Sequence, residues 1–249
     1  MDFTIRGLVA RMLQSMPAQP DGGDSGVFGT RMGKYNEVYT MTPLPPKQVL
    51  ADEGAYFTAN NAQAGLALNI SATGFLSAVP YLMVYNGAQP SAAGTRVYFD
   101  YATLSTTATG VSGSNVQIAI VTDTGNRYVS GGTNLTSNIV LANQDSGMRS
   151  QCQVYCGVLA VSTPTGTART VVGNRMLSSG SPVIGDEYSI LFGPTDIQQQ
   201  INISTIKKTT DSVPPIVIGP NQSMLLYVWE PTMATTGSAY APEVGWVER

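Results

Sequence analysis

The chain has 249 residues, of which 12% are charged, and a formal net charge of -3. The charged fraction is about half of the roughly 25% expected of a soluble globular protein, and the 13 Lys and Arg residues are scattered, which disfavours a phosphate-tracking groove for nucleic acid. The sequence contains no histidine, which excludes Ser-His-Asp triads, Cys-His pairs and histidine-rich metal sites.

The length allows one large all-β domain with a core of its own, stable without disulfides or a metal. No apolar run approaches the roughly 18–20 residues that span a bilayer. Residues 1–16 are interrupted by Asp2, Arg6 and Arg11, unlike a signal peptide. We therefore expect synthesis in the cytoplasm, with neither a nucleic acid nor a membrane as partner.

The first predicted element is an amphipathic helix over residues 3–16. Its apolar residues recur at the i, i+3, i+4, i+7 spacing that places them on one face, and Pro17 and Pro20 end it. A helix this short is marginal alone in water, so we expect its apolar stripe to bind a surface. The stripe consists of Ile5, Leu8, Val9, Met12, Leu13 and Met16.

A flexible linker is predicted directly after this helix. Residues 21–26 read DGGDSG, a composition that favours flexibility over packing. The pattern predicts an N-terminal arm over residues 1–45 and a β-sandwich domain over residues 46–249. Two placements of the helix stay open: it docks on a neighbouring molecule, or it folds back onto its own sandwich.

From about residue 47 onward, short β-rich runs alternate with turn-forming clusters, the pattern of an all-β sandwich or barrel. We predict an antiparallel, jelly-roll-like β-sandwich. A single short helix is expected inside it, over residues 195–201. The clearest strand runs are residues 81–85, 96–101, 116–121, 153–161, 188–192 and 223–229.

Cys152 and Cys156 are predicted to be buried free thiols. Both fall in a strand run, where four residues span about 13 Å, and a disulfide needs Cα atoms within about 7 Å. A metal site would need further Cys or His ligands. We therefore expect no disulfide, metal or cofactor at this position.

The remaining candidates for chemistry are weak. Asp186 and Glu187 are adjacent, and neighbours on a strand point to opposite faces, so we expect a turn and a strand start there and no carboxylate pair. Residues 21–24 lack the oxygens of a calcium loop. Gly131 and Gly132 lack the Lys and helix of a phosphate loop and are predicted as hairpin glycines. No catalytic residue is predicted.

The 12 tyrosines leave one binding hypothesis open. Exposed tyrosine rings are able to form platforms for sugars, which would make the chain a carbohydrate-binding module. Tyr81, Tyr85, Tyr98 and Tyr101 lie at strand positions, however. Packing in the core or on a sheet face is the favoured interpretation of these four residues.

Four blocks of the sequence resemble a virion structural protein of short-tailed bacteriophages. The resemblance spans residues 46–231 and implies a β-sandwich protein on the particle surface or at its joints, with no catalytic residues to carry over. The arm lies outside the matched blocks. The blocks are residues 50–61 (LADEGAYFTANN), 96–101 (RVYFDY), 125–132 (GNRYVSGG) and 182–186 (PVIGD).

The expected function is therefore structural and non-enzymatic. The resemblance implies a capsid cement or decoration protein located in the virion, where it stabilises the head by bridging major capsid subunits. The expected partners are the major capsid protein or other virion proteins, and further copies of the chain in a homo-oligomer, with a trimer as the expected form. The alternatives are a tail, neck or fibre component, or a carbohydrate-binding module for host adsorption.

Overall fold

A computed structural model of the chain describes residues 31–32, 38–39, 46–61, 68–69, 73–88, 94–110, 115–143, 147–178, 180–193, 199–203, 206–231 and 237–249. The predicted arm helix over residues 3–16 and the linker over residues 21–26 lie outside these described residues. The arm therefore stays a prediction.

Within the described residues, the chain forms one α-helix, a single 3-10 turn (Thr136–Asn138) and seventeen strands. The helix, α1, spans Pro46–Asp52. The strands are β1 (Arg31–Met32), β2 (Val38–Tyr39), β3 (Tyr56–Asn60), β4 (Leu68–Asn69), β5 (Leu82–Asn86), β6 (Val97–Ala108), β7 (Val116–Thr124), β8 (Tyr128–Asn134), β9 (Ile139–Leu141), β10 (Cys152–Val161), β11 (Arg169–Ser178), β12 (Glu187–Phe192), β13 (Gln199–Ile203), β14 (Ile206–Val213), β15 (Val217–Ile218), β16 (Gln222–Trp229) and β17 (Ala239–Glu248).

The chain divides into two units, Met1–Pro46 and Lys47–Arg249. In the first unit, β1 and β2 pair antiparallel. The second unit holds a six-stranded sheet in the order β11-β7-β16-β5-β10-β8 and a nine-stranded sheet in the order β13-β14-β12-β6-β17-β3-β9, with β15 beside β6 and β4 beside β17. Strands β12 and β14 are parallel, whereas their neighbours pair antiparallel. The predicted all-β sandwich is confirmed.

The two sheets pack face to face through one apolar core. Phe57, Leu104 and Trp246 enter it from the nine-stranded sheet, and Val84 and Ile118 enter from the six-stranded sheet. On β12 the residues alternate strictly between buried and half-buried, because successive side chains point to opposite faces of a sheet. Among the described residues, β12 therefore buries only one of its two faces.

The six-stranded sheet is apolar on both faces. A second cluster, which includes Met83, Leu225 and Tyr227, lies on the face turned away from the main core. Residues 73–80 lie over part of it: the ring of Phe75 is 4.8 Å from that of Tyr227 and 6.0 Å from that of Trp229. In β16 every residue after the first is buried, as expected for a strand covered on both sides.

A buried arginine fastens this covering segment to the sheet. Arg127 is only 1% exposed. Its guanidinium donates hydrogen bonds to the carbonyl oxygens of Ser77 (3.1 Å) and Ser162 (3.1 Å from Nε). Its Nη1 lies 3.3 Å from the carboxylate of Asp123. The charge is thus matched inside the fold, and residues 73–80 are tied to β7 and to the chain after β10.

Two sequence predictions about local structure are wrong. Gly131 and Gly132 lie inside β8, not in a hairpin turn, at positive φ angles of 80° and 63° where β8 bulges against β10. A Cβ on Gly132 would lie 2.4 Å from the Cys156 carbonyl oxygen, so close backbone approach requires glycine.

The helix predicted over residues 195–201 is also wrong where the structure describes it. Residues 199–203 form β13, which pairs antiparallel with β14. Residues 195–198 lie outside the described residues. The alternation of Gln200, Ile201, Asn202 and Ile203 suits a strand, and pairing with β14 overrides a weak local helix preference.

Candidate functional site

The six arm residues predicted to bind a partner are not among the described residues, so their role stays a prediction. They are Ile5, Leu8, Val9, Met12, Leu13 and Met16. The described part of the chain offers a different surface. It is the face of the nine-stranded sheet that is turned away from the main core, here called the outer face.

One end of the outer face carries a row of apolar and aromatic side chains, here called the flat row. Val217 pairs with Tyr98, Tyr98 with Val247, and Val247 with Tyr56. Because directly paired residues point to the same face, the four side chains lie side by side across four strands. Val217 is 46% and Tyr98 is 39% exposed. The row is a flat apolar strip that is partly open to solvent.

Two tyrosine and carboxylate pairs border the flat row. The Tyr56 hydroxyl donates to Asp100 Oδ2 at 2.6 Å, and Lys47 Nζ lies 2.8 Å from the same oxygen. The Tyr101 hydroxyl donates to Glu243 Oε1. Burial, followed by the hydrogen bonds to these carboxylates, raises the pKa of Tyr56 and of Tyr101. Both phenols therefore stay protonated and serve as hydrogen-bond donors.

A glycine creates the space for the second of these tyrosines. Gly245 pairs with Tyr101 in the ladder between β6 and β17. A Cβ on Gly245 would lie 2.3 Å from the Tyr101 ring. The ring therefore lies flat over the backbone of β17. This keeps the outer face level where a larger residue would push the ring outward.

The other half of the outer face is polar. Thr103 pairs with both Ser189 and Glu243, and its hydroxyl is 3.4 Å from that of Ser189. Further along, Lys208 Nζ lies 3.0 Å from Glu187 Oε2. Hydroxyls and paired charges of this kind suit a face in contact with water.

Beyond the polar half, three exposed aliphatic residues form the turn patch. Val183 and Ile184 lie in the turn before β12, and Ile206 begins β14. Their exposed fractions are 39%, 61% and 39%. Bulky apolar side chains held in solvent often mark a contact with another molecule.

A buried carboxylate holds the turn patch rigid. Asp186, which is fully buried, accepts hydrogen bonds from the backbone N–H groups of Val183 (2.8 Å) and Lys207 (2.7 Å). The backbone of the turn is also bonded to Thr106 on β6 in both directions, at 2.9 and 2.8 Å. The turn is therefore preorganised, which lowers the entropy lost when a partner binds.

This arrangement confirms the prediction for Asp186 and Glu187. The two carboxylates serve separate purposes: Asp186 is buried and holds the turn, whereas Glu187 starts β12 and pairs with Lys208 on the outer face. They do not form a pair that could act on one substrate.

Both cysteines lie in β10, and the prediction that they are buried is confirmed. Burial raises the pKa of Cys156 to about 12. Burial, followed by the nearby charge of Glu248, raises the pKa of Cys152 as well. Thiols that stay protonated at neutral pH are poor nucleophiles. Their contribution is to the packing of the main core.

Within the described ranges, no three His, Cys, Asp or Glu residues are grouped so that they could hold a metal ion. In the same part of the chain, no helix is both long enough and apolar enough to cross a membrane.

The exposed apolar residues were not predicted from the sequence. Val97, Tyr98 and Phe99 are consecutive and all apolar or aromatic. The sequence therefore does not show which face of this strand is in contact with solvent. Tyr81, by contrast, is 3% exposed and packs in the main core as predicted. A weak signal for the turn patch existed in Val183 and Ile184, which are aliphatic residues inside a proline and glycine turn.

Comparison with protein-family models, with curated proteins and with solved structures found no match.

Proposed function

We propose that this chain is a non-enzymatic structural protein of a tailed-phage virion, a capsid cement or decoration protein that stabilises the head by bridging major capsid subunits. The four sequence blocks that resemble such proteins support the proposal, as does the charge-poor composition, since such a surface is weakly protected against association. The structural observation that carries the proposal is the rigid turn patch.

The use of the buried charges agrees with a structural role. Asp186 holds the turn patch, and Asp123 matches the charge of Arg127. Glu230, which is fully buried, accepts hydrogen bonds from the Ser238 N–H and the Tyr240 hydroxyl. These carboxylates hold turns and strand ends in place and so stiffen the body. A stiff body that displays apolar anchors loses little entropy when it bridges capsid subunits.

The predicted arm supplies a second attachment. Its apolar stripe over residues 3–16 would bind a capsid subunit or a neighbouring copy, while the linker over residues 21–26 lets it reach that surface. Each stripe alone would bind weakly, because the gain from burying six apolar side chains is opposed by the entropy lost when the helix becomes ordered. Many copies on one particle would make the attachment firm.

A carbohydrate-binding role is the second candidate, and the outer face is the observation that favours it. Tyr98 is partly exposed and shares this face with Tyr101, Thr103 and Ser189. Aromatic rings beside hydroxyls and carboxylates are the groups that bind sugars. A glycan array distinguishes the structural role from the carbohydrate-binding role. Glycan binding that is lost in Tyr98→Ala but kept in Tyr85→Ala, which lies on the other sheet, would favour sugar recognition.

The primary test is quantitative mass spectrometry of purified particles, with heads and tails separated. We expect the chain in the head fraction, at a fixed ratio to the major capsid protein. Detection only with tails would assign it to the tail, neck or fibre. Absence from both fractions would contradict a virion role altogether.

A second test addresses stabilisation and the arm. Heads that lack the protein should rupture at a lower temperature, and added full-length protein should restore them. Leu8→Ser with Met12→Ser, which breaks the apolar stripe, should bind heads poorly. Gln14→Ser, placed off the stripe, is the matched control. Equal binding by both variants would remove the arm from the proposal.

A further inference from the structure

Among the described residues, the strand orders of the two sheets end in β11, β8, β9 and β13, and the first three carry features that disfavour pairing with another chain. The β11 strand shows three register shifts against β7. The β8 strand shifts register twice against β10, and its Gly131 and Gly132 have positive φ angles. The β9 strand has only 3 residues. Bulges and short edge strands are the devices by which proteins avoid unwanted strand addition.

The fourth edge strand, β13, lacks these devices. Its five residues pair with β14 in continuous register, with no shift. Among the described residues it ends the nine-stranded sheet, with a neighbour on one side only. Its sequence, QQINI, contains neither a charge nor a proline. It therefore presents a regular row of backbone donors and acceptors suited to an additional strand.

An exposed apolar surface adjoins this edge. Ile206 of the turn patch pairs with Ile203 at the end of β13. A strand paired with β13 would lie two strand spacings, about 10 Å, from β14. The turn patch therefore borders the pairing surface and is not part of it.

We propose that β13 pairs antiparallel with β13 of a second copy, about a two-fold axis at Ile201, so that the nine-stranded sheets of two copies become continuous. A two-fold contact requires a self-complementary surface, and a short uncharged strand pairs with its own copy without repulsion. In this register Gln200 pairs with Asn202 of the other copy, and both residues are uncharged. The inference concerns purified protein and does not depend on a place in the virion.

The test places a charged residue at the two-fold axis. Sedimentation velocity on the full chain, over a range of concentrations, measures the effect on association. Ile201→Lys and Ile201→Glu each place like charges opposite each other, and we expect each alone to dissociate roughly 100-fold more readily than the wild type. A mixture of the two variants should restore the pair, because Lys then faces Glu. Circular dichroism establishes that both variants fold.

Val140→Lys is the matched control, because it places the same charge on β9 at the opposite edge of the same sheet, where Val140 is 48% exposed. It should associate like the wild type. Hydrogen exchange is a second measurement and uses the unsubstituted protein. Backbone amides of residues 199–203 should be more protected from exchange at high protein concentration, whereas the protection of the β9 amides should not change.

Several results would overturn the proposal. One is a wild type that stays monomeric, without concentration-dependent protection of β13. Another is a trimer or larger assembly that neither Ile201 variant disturbs. Failure of the mixed variants to associate would also exclude a two-fold contact at Ile201. If both variants fail to fold, the exchange experiment alone decides, and equal protection at all concentrations contradicts the inference.

Discussion

The two sheets of the sandwich bury their surfaces differently. The six-stranded sheet is apolar on both faces, with Leu226 in the main core and its neighbour Leu225 in the second cluster. In the part of the nine-stranded sheet that the structure describes, β12 buries one face, with Ile190 in the core and Leu191 half-buried on the outer face. The centre of the first sheet is therefore covered on both faces, whereas the second sheet carries a face that is partly open to solvent.

The largest expected effect concerns Arg127, the buried arginine that ties residues 73–80 to the six-stranded sheet. Arg127→Met would remove one partner of a buried ion pair, leave Asp123 without its counter-charge, and remove the hydrogen bonds from the arginine to the carbonyl oxygens of Ser77 and Ser162. We expect a loss of about 3–5 kcal/mol in the free energy of unfolding, measured by urea denaturation. A loss below about 1 kcal/mol, typical of an exposed pair, would show that residues 73–80 do not seal this face.

The pH dependence of the same pair has a defined sign. Burial acts to raise the pKa of Asp123, but hydrogen bonds from Thr165 and Thr124 and the charge of Arg127 lower it overall. A carboxyl with a lowered pKa stabilises the fold above its unfolded pKa of about 3.9 and loses that contribution as the pH falls through the folded value. The wild type should therefore lose more stability on acidification below about pH 4 than Asp123→Asn does.

Adjacent leucines test the comparison directly. Leu225→Ala and Leu226→Ala, which point to opposite faces of β16, should each cost about 2–5 kcal/mol, because both side chains are fully buried. On β12, Ile190→Ala should cost a similar amount and Leu191→Ala less than about 1 kcal/mol. Thermal and urea unfolding of the four variants would measure this. Equal costs on β12 would mean that the outer face is covered.

Much of this difference was available from the sequence. The continuous apolar run of β16 and the alternation in β12 separate a strand covered on both sides from one with a wet face. The sequence did not reveal which segment covers the six-stranded sheet. That depends on Arg127 meeting Ser77, 50 residues away in the chain, and a scattered arginine carries no periodic signal for such a contact.

A smaller effect is expected at a glycine of the outer face. Gly245→Ala would place a Cβ against the Tyr101 ring and force it to move, at about 1–3 kcal/mol. Gly173→Ala on β11, where a Cβ would have no neighbour within 4 Å, is the matched control and should be nearly neutral. A neutral Gly245→Ala would mean that Tyr101 is free to leave the sheet surface.

The candidate surfaces were less predictable than the fold. The flat row depends on cross-strand registers that join Val217, Tyr98, Val247 and Tyr56, which are far apart in the sequence. The position of β13 at the edge of the sheet depends on the order of the strands, whereas the local sequence favoured a helix there. In both cases the decisive information is long-range pairing, which no local pattern encodes.

The smallest expected effect is at the exposed ion pair of the outer face. The side chains of Lys208 and Glu187 are 50% and 35% exposed, and their charged atoms are 3.0 Å apart. A double-mutant cycle with Lys208→Met and Glu187→Gln should give a coupling of about 0–1 kcal/mol.

Added salt should abolish this coupling, because the screening length falls to about 3 Å at 1 M. Water reaches this pair, whereas the Asp123 and Arg127 pair is sealed, so salt should leave the cost of Arg127→Met largely unchanged. A coupling well above 1 kcal/mol that persists in salt would place the Lys208 pair out of contact with water. The polar half of the outer face would then already be covered in the purified protein.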